Sequence, residues 1–596
     1  MIWNICFFVS VITLFFSVLH AIVTTKRYKC DRIFTPFYVI FAGVFLSIFI
    51  GLVPMFASML ANESYFILKL IVFDTLQTIQ VFTINVGADL ILDNINSITT
   101  SISETYSSYM AIMFFVAPVL TFGFLVSLFK NTIEKMVYKI HYFGDVYVFS
   151  EMNEKSLILA ESIKSKHKTS LIVFTNVDRE EGNILSEHIE TAKMMKAILF
   201  KKNIVTVDFM KHSKKSQITF FTIGEKENVN LIHSLKLVEK YNHRKNTSLY
   251  VFSSNTEGEL LLSNVSKGEI MVRRVNEARA LIYGFLYDEG IRIFSSAVST
   301  HADKKSIHAV VVGLGKYGTE MLKALTWFLQ MDGYSVEIDV FDSDELAEQK
   351  FTALCPEIMD KKYNGVQIDG ESEYTINIHA GMDIRTKDFA DTISSLSEIT
   401  FVFVCLGDDE DNINQAANIR MLCERAGHNP IIKTVVYNTE EKDALIGITN
   451  YRGQSYGIEP IGDLNSSYSE KILLGSELEK LALERHLKWG KEEEFWQYEY
   501  NYRSSMASAI HMKARIDCGF LAAGKKENEL TPMERDSLEI LEHKRWNAYM
   551  RSEGYVYSGS HEKSSRNDLA KMHHDLVDFE SLTEEEKRKD GSVGSL

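Results

Sequence analysis

Residues Ile307–Asp342 read IHAVVVGLGKYGTEMLKALTWFLQMDGYSVEIDVFD, and this stretch decides the fold. A short apolar run, Ala309–Val312, meets Gly313-Leu-Gly315-Lys-Tyr-Gly318; a helical stretch follows, then a second apolar run ending at Asp342. Strand, glycine turn, helix and strand with a terminal acid is the order that dinucleotide binding requires. Gly313 permits the tight turn, Gly315 lets backbone N–H groups approach a pyrophosphate, and Gly318 lets the helix pack close to the sheet. Asp342 stands where a carboxylate accepts the hydrogen bonds of a ribose diol. The alternative is a fold that keeps these glycines for packing alone.

On either side of this stretch, strand and helix patterns alternate from Lys139 onward, as in a parallel α/β sheet. Upstream the pattern repeats. Ile218-TFFTI-Gly224-EKENVN-Leu231 answers Ile399-TFVFVCL-Gly407-DDEDNIN-Gln415, and VFSS-Asn255-Thr256-Glu257 answers VVY-Asn438-Thr439-Glu440, with an offset of 183 residues both from Gly224 to Gly407 and from Asn255 to Asn438. A repeat this long is a duplicated domain. The copies differ at the turn: copy one has Ser150-Glu-Met-Asn-Glu-Lys155, without the glycines, and Glu151 and Glu154 would repel a phosphate at a helix start. Its second strand ends in Thr175-Asn176-Val-Asp178, with the acid shifted. Copy one thus reads as a partner domain, a residual ligand site being the other reading.

At 596 residues the chain should hold three or four domains, and its net charge of −15 disfavours nonspecific nucleic-acid binding, which wants a basic face. Six scattered cysteines, with no CxxC, read as reduced thiols in a cytoplasmic compartment and not as a zinc or disulfide framework.

Apolar residues concentrate at the N-terminus. Ile5–Val23, Phe37–Ala57 and Tyr109–Phe129 are each long enough for a bilayer, which needs about 20 apolar residues. Lys26, Arg27, Lys29 and Arg32 in the first loop, and Lys130, Lys135 and Lys139 after the last span, mark cytoplasmic ends. Tyr65–Leu92 carries Lys69, Asp74, Gln77, Gln80, Asn85 and Asp89 and is either a re-entrant, pore-lining segment or a fourth span polar on its bundle face. Within it Thr83, Asn85, Gly87 and Asp89 are the pore candidates; Thr83–Asp89 faintly resembles a potassium-channel filter, with the second glycine missing.

The tandem resembles the regulator-of-potassium-conductance or TrkA-N-type domains of ligand-gated potassium channels and transport regulators. VVVGLGKYG with Asp342, VFVCLGDDEDN, and IMVRRVNEARALIYG at the end of copy one carry that resemblance. It implies NAD(H) or an adenine nucleotide, bound as a regulator at Gly313, Gly315, Gly318 and Asp342, with Gly407 and Asp408 bordering the site.

From Gly475 the pattern turns helical. Leu541-Glu542-His543-Lys-Arg545-Trp546-Asn-Ala-Tyr549, the Gly554-Tyr555 turn and the closing histidine, Asp-Leu and Leu-Thr-Glu-Glu-Glu stretch resemble the ryanodine-receptor repeat, or RyR domain. That resemblance implies a module binding a partner or a nucleotide-like ligand. Arg503 and Arg545 suit phosphate or carboxylate, Trp546 a base and Glu542 a ribose, with Ser504 and His543 beside them. The structural alternative makes Trp546 core and Glu542–Arg545 an intrahelical pair. Residues Lys587–Leu596 are expected to fray.

The expected architecture is multi-domain: an α-helical transmembrane domain at 1–135, two tandem Rossmann-like α/β domains with parallel sheets at 140–300 and 305–450, and a helical RyR-type domain at 475–596. The expected function is a nucleotide-regulated, multi-pass channel or transport regulator of the cell inner membrane, for cations of potassium type. A large cytoplasmic part, homo-oligomeric assembly, contact with the lipid bilayer, and no metal or nucleic-acid partner belong to that reading. A membrane effector of prokaryotic defence opened by a nucleotide second messenger is the alternative. A membrane-anchored NAD-dependent oxidoreductase is disfavoured because no catalytic set stands in register.

Overall fold

A computed structural model describes the chain except residues 1, 28–33, 84–86, 98–101, 129–142, 178–185, 255–257, 259–261, 263–267, 301–303, 361, 364–365, 368–373, 448–451, 454, 475–476, 521–524, 526 and 595–596. Asn85, Asp178, Asn255–Glu257 and the basic residues flanking the spans lie outside the described side chains. The chain divides into two compact units, Met1–His141 with Asp178–Asn183, and Tyr142–Val177 with Ile184–Leu596.

The first unit contains five described helices: α1 (Ile2–Arg27), α2 (Phe34–Met59), α3 (Phe66–Phe82), α4 (Ala88–Asn96) and α5 (Ser103–Leu128). Three of them, over Ile2–Ile22, Val39–Met59 and Ser103–Gly123, are long and apolar enough to cross a membrane. Small residues let α1 and α2 approach closely: a Cβ at Gly43 would sit 2.3 Å from that of Ser17. The Ser10 hydroxyl donates to the Ser47 carbonyl at 2.7 Å, and Tyr109 on α5 bonds both serines.

α3 ends at Phe82, with Thr83 as its C-cap, and α4 begins at Ala88. The 17 residues of α3 span roughly 25 Å at 1.5 Å per residue, less than the ~30 Å hydrocarbon core. Ile67, Leu68, Ile71, Val72 and Leu76 are exposed on one face, while Asp74, Thr78, Val81 and Phe82 are buried on the other. Thr83, Gly87 and Asp89 are exposed in the single chain.

The second unit holds a six-stranded parallel sheet and a seven-stranded one, of which six strands are parallel and the short Val298–Ser299 is antiparallel at the edge of the path. The first comprises β1 (Val146–Phe149), β2 (Leu171–Phe174), β3 (Ile198–Leu199), β4 (Ile218–Thr222), β5 (Thr247–Phe252) and β6 (Met271–Val275) in the order β3-β2-β1-β4-β5-β6. The second comprises β7 (Lys305–Val312), β8 (Tyr334–Asp342), β9 (Tyr374–Ala380), β10 (Phe401–Val404), β11 (Ile431–Val435) and β12 (Ile458–Ile461) in the order β9-β8-β7-β10-β11-β12. This shared order places a switch point beside the opening strand of each copy, where ligands bind open α/β sheets. Copy two extends past the expected boundary at 450, because β12 pairs in parallel with β11; its Pro460 is tolerated because β12 is an edge strand.

The helices that matter to the sites are α6 (Glu154–Lys166), α7 (Glu227–Tyr241), α8 (Glu277–Glu289), α9 (Lys316–Phe328), α10 (Asp409–Ala426), α11 (Glu499–Asp517), α12 (Pro532–Ser552) and α13 (Glu584–Gly594). Most of the C-terminal module's core is continuous with that of copy two. Ile307, Trp327 and Phe328 of copy two share one apolar cluster with Ile282 of α8, Ile510 of α11 and Tyr549 of α12. The expected fraying after Lys587 is corrected: α13 runs to Gly594, and the Asp590 carboxylate lies 3.1 Å from His543 Nδ1.

Hydrogen bonds also correct the repeat by one residue. Asn230 accepts from the Gly224 N–H and donates to the Phe252 carbonyl, at 2.8 and 3.0 Å. Asn412 accepts from the Leu406 N–H and donates to the Val435 carbonyl, at 2.5 and 2.9 Å. Gly224 is therefore matched by Leu406, and Gly407 lies one residue on.

Candidate functional site

The site lies at the carboxyl ends of β7, β8 and β10, in a cavity of about 490 Å³ lined by Gly313, Gly315, Asp342, Gly407 and their neighbours. The three glycines of the turn have different jobs. Gly313 has φ +93°, and a Cβ on it would lie 2.6 Å from the Cys405 carbonyl oxygen. A Cβ on Gly318 would lie 1.8 Å from the Gly313 carbonyl oxygen. These two are required by packing. A Cβ on Gly315 would meet nothing within 4 Å, so its open side belongs to the cavity.

Gly315 is also the N-cap of α9, and no side chain caps that helix or places an acid in its first turn. The first N–H groups of a helix need acceptors, and the helix dipole favours an anion there. Asp342 fixes the turn from below: its Oδ2 accepts from the Leu314 N–H at 2.6 Å and its Oδ1 from the Asp344 N–H at 2.8 Å. Each oxygen retains lone-pair capacity for a hydroxyl. Gly407, at φ +119°, leaves the far rim open. Asp408 does not line the cavity. It caps α10 by accepting from the Asp411 N–H at 2.9 Å, and Asp411 and Gln415 reach the cavity instead.

Sequence reading missed Lys316, Tyr317, Arg385 and Tyr437, which complete the walls. Arg385 is held by a forked pair with Asp383, at 3.0 and 2.9 Å. Its signal was faint, an arginine in the loop after the third strand. Cys405 is no nucleophile: burial, then Asp342, push its thiol well above the ordinary range, and Sγ lies 3.3 Å from the Gly313 carbonyl.

Copy one answers each feature by filling it. Asn153 caps α6, accepting from the Ser156 N–H at 2.9 Å, while the Ser156 hydroxyl accepts from the Asn153 N–H at 2.9 Å. The Glu151 carboxylate covers Gly224, where a Cβ would come within 2.7 Å of it. A cavity of about 350 Å³ remains, lined by Glu154, Glu225, Glu227 and Glu277 with Lys155 and Lys316. Burial raises the Glu277 carboxyl, but Lys155, Lys316 and the Tyr468 hydroxyl outweigh it and hold it below the usual range. Lys316 therefore borders both cavities: its Nζ is 3.3 Å from Glu277 and 3.7 Å from Glu227.

Behind the glycine turn runs a buried chain of charges. Glu320 on α9 pairs with Arg279 on α8 at 2.9 Å, and Arg279 pairs with Glu553 after α12 at 3.0 Å. Glu553 pairs with Arg503 on α11 at 2.6 Å, and Glu499 meets Arg274 of β6 at 2.7 Å. Burial alone would raise the Glu320 and Glu553 carboxyls; the arginines reverse that and hold both low.

The second set expected on the C-terminal module is corrected by this packing. Glu542 and Arg545 are each 1% exposed and pair with one another at 2.8 Å. His543 is bound to the Val577 carbonyl at 2.8 Å, Ser504 is buried, and Trp546 packs edge-on against His573 at 4.9 Å. α12 is enclosed along most of its length, and Glu542 and Arg545 pair with each other inside it. Arg503, of that set, lines a separate cavity.

Comparison with models of known protein families and with curated proteins finds no match for this chain.

Proposed function

We propose that this chain is a nucleotide-regulated membrane conduit for cations of potassium type, in which the glycine turn takes NAD(H) or an adenine nucleotide as regulator and not as substrate. The observation that carries the reading is the position of Lys316. It stands at the first turn of an uncapped helix, beside an open glycine, and is ion-paired across to Glu277 and Glu227 of copy one. A phosphate arriving at Gly315 would draw Lys316 away from those carboxylates. The same helix carries Glu320, so a change at the turn reaches α8 and the C-terminal module through buried charges. The three apolar helices supply the membrane part, a multi-pass unit of the cell inner membrane.

Switching a conduit from 1:99 to 99:1 takes about 5.5 kcal/mol of differential affinity, a demand that several copies in a homo-oligomer would share. The test is potassium flux from liposomes carrying the full chain, with NAD+, NADH, ATP and ADP added in turn. Flux should change with at least one nucleotide and lose that response in Asp342→Ala. Flux that no nucleotide alters would overturn the reading. An effector of prokaryotic defence works by the same physics. It would be silent to these four nucleotides and open to an unusual one, a reading favoured by the placement of Arg503 at a cavity of its own.

A further inference from the structure

That cavity lies among β6, α8, residues 466–473, residues 477–478 and α11, and has a volume of about 360 Å³. Its walls include Arg273, Arg279 and Arg503 together with Tyr250, Tyr283 and Tyr502. Arg273 is 5% exposed, with its guanidinium 4.0 Å from the ring centroids of both Trp496 and Tyr502. Its Nη2 is buried without a hydrogen-bond partner, and its nearest carboxylate, on Glu479, is 3.4 Å from Nε. Arg279 is 8% exposed; Glu320 and Glu553 occupy its other nitrogens, and Nη1 has no acceptor.

Buried guanidinium N–H groups left without acceptors are rare and unfavourable, and forked ones match the oxygens of phosphate. The carboxylates around this cavity already balance much of the positive charge, so a highly charged anion has no advantage. Flat phenol walls suit an aromatic ring. The volume lies at the small end of the ~300–1,000 Å³ usual for ligand pockets and below that of the glycine-turn cavity.

We infer that this is a second binding site, built for an aromatic phosphate monoester of nucleoside-monophosphate size, with Arg273 and Arg279 as its phosphate ligands. The site stands independently of the glycine turn. Its influence on the glycine turn rests on the regulatory reading above, because Arg279 is shared with Glu320 of α9.

The experiment is calorimetric titration of the full chain in detergent with the four ribonucleoside monophosphates and with inorganic phosphate. Two blocks separate the sites. Gly315→Leu fills the glycine-turn cavity, and Gly284→Leu fills this one, since a Cβ on Gly284 of α8 meets nothing within 4 Å. Gly315→Leu should still bind one equivalent of at least one nucleotide, and adding Gly284→Leu should weaken that binding at least tenfold. Arg273→Lys, which keeps the charge and loses the fork, should weaken it tenfold with the melting temperature unchanged. The inference fails if no monophosphate binds to Gly315→Leu, if Gly284→Leu leaves affinity intact, or if inorganic phosphate binds as tightly as the nucleotide. Failure of the glycine-turn reading looks different: wild type and Gly315→Leu would then bind the same single equivalent.

Discussion

The turns that open the two copies occupy the same place in the same topology and have opposite chemistry. After β1, Asn153 and Ser156 satisfy the start of α6, and Glu151 covers the neighbouring loop. After β7, Gly315 leaves the start of α9 uncapped and the space beside it open. Matching the two helices at their caps sets Asn153 against Gly315, Ser156 against Gly318 and Ile158 against Glu320. A duplicated fold thus carries one end that has satisfied itself and one that needs a partner. The completed end supplies Glu277 and Glu227 as counterions for Lys316 of the open one.

Making copy two resemble copy one at each position breaks the comparison by a different amount. Glu320→Ile should have the largest effect, since it leaves Arg279 with Glu553 as its remaining partner. Removal of one member of a buried ion pair typically costs about 3–5 kcal/mol, read as a lowered denaturation midpoint of the full chain. Gly318→Ser comes next. Its Cβ would press on the Gly313 carbonyl at 1.8 Å, and overpacking of this kind costs about 1–3 kcal/mol. Nucleotide binding should fall with it, because the helix can relieve the clash only by leaving the turn.

Gly315→Asn should separate binding from folding. Asparagine caps the helix start, so stability should hold or rise by about a few tenths of a kcal/mol. Nucleotide affinity should drop at least tenfold, about 1.4 kcal/mol, in a direct titration. Unchanged affinity would show that the ligand does not use the helix start. The smallest change is expected from the reverse exchange, Asn153→Gly. It should cost copy one about a few tenths of a kcal/mol and create no new nucleotide site, because Glu151 and Glu227 still line the place. One equivalent of bound nucleotide more than the wild-type chain takes up would, in that variant, sharpen the comparison to a single residue.

Much of the architecture was legible in the chain because it is written in local terms. The GLGKYG turn, the alternation around it and the three apolar runs each sit within a short window. Asp342 was legible for the same reason, as the acid ending the next strand. Other features were not. Pro460 disguised the edge strand β12, and a one-residue shift let Gly407 stand for Gly224 when Leu406 is its true counterpart. Glu542, His543 and Arg545 read as a ligand set because polarity along a helix suggests exposure; their enclosure comes from helices and strands distant in sequence.

By itself the sequence determined the duplication, the glycine turn with its acid, and the helical lengths suited to a membrane, since backbone conformation and hydrophobic periodicity are local properties. The tertiary structure alone decided that, of the three glycines in the turn, only Gly315 faces open space. It also decided that Lys316 crosses to the other copy, and that Arg279, Glu320, Glu553 and Arg503 form one buried chain. Those facts depend on which side chains meet after folding, and a charge that stands 39 residues from its partner, as Lys316 from Glu277, or 274, as Arg279 from Glu553, leaves no mark in either neighbourhood of the sequence.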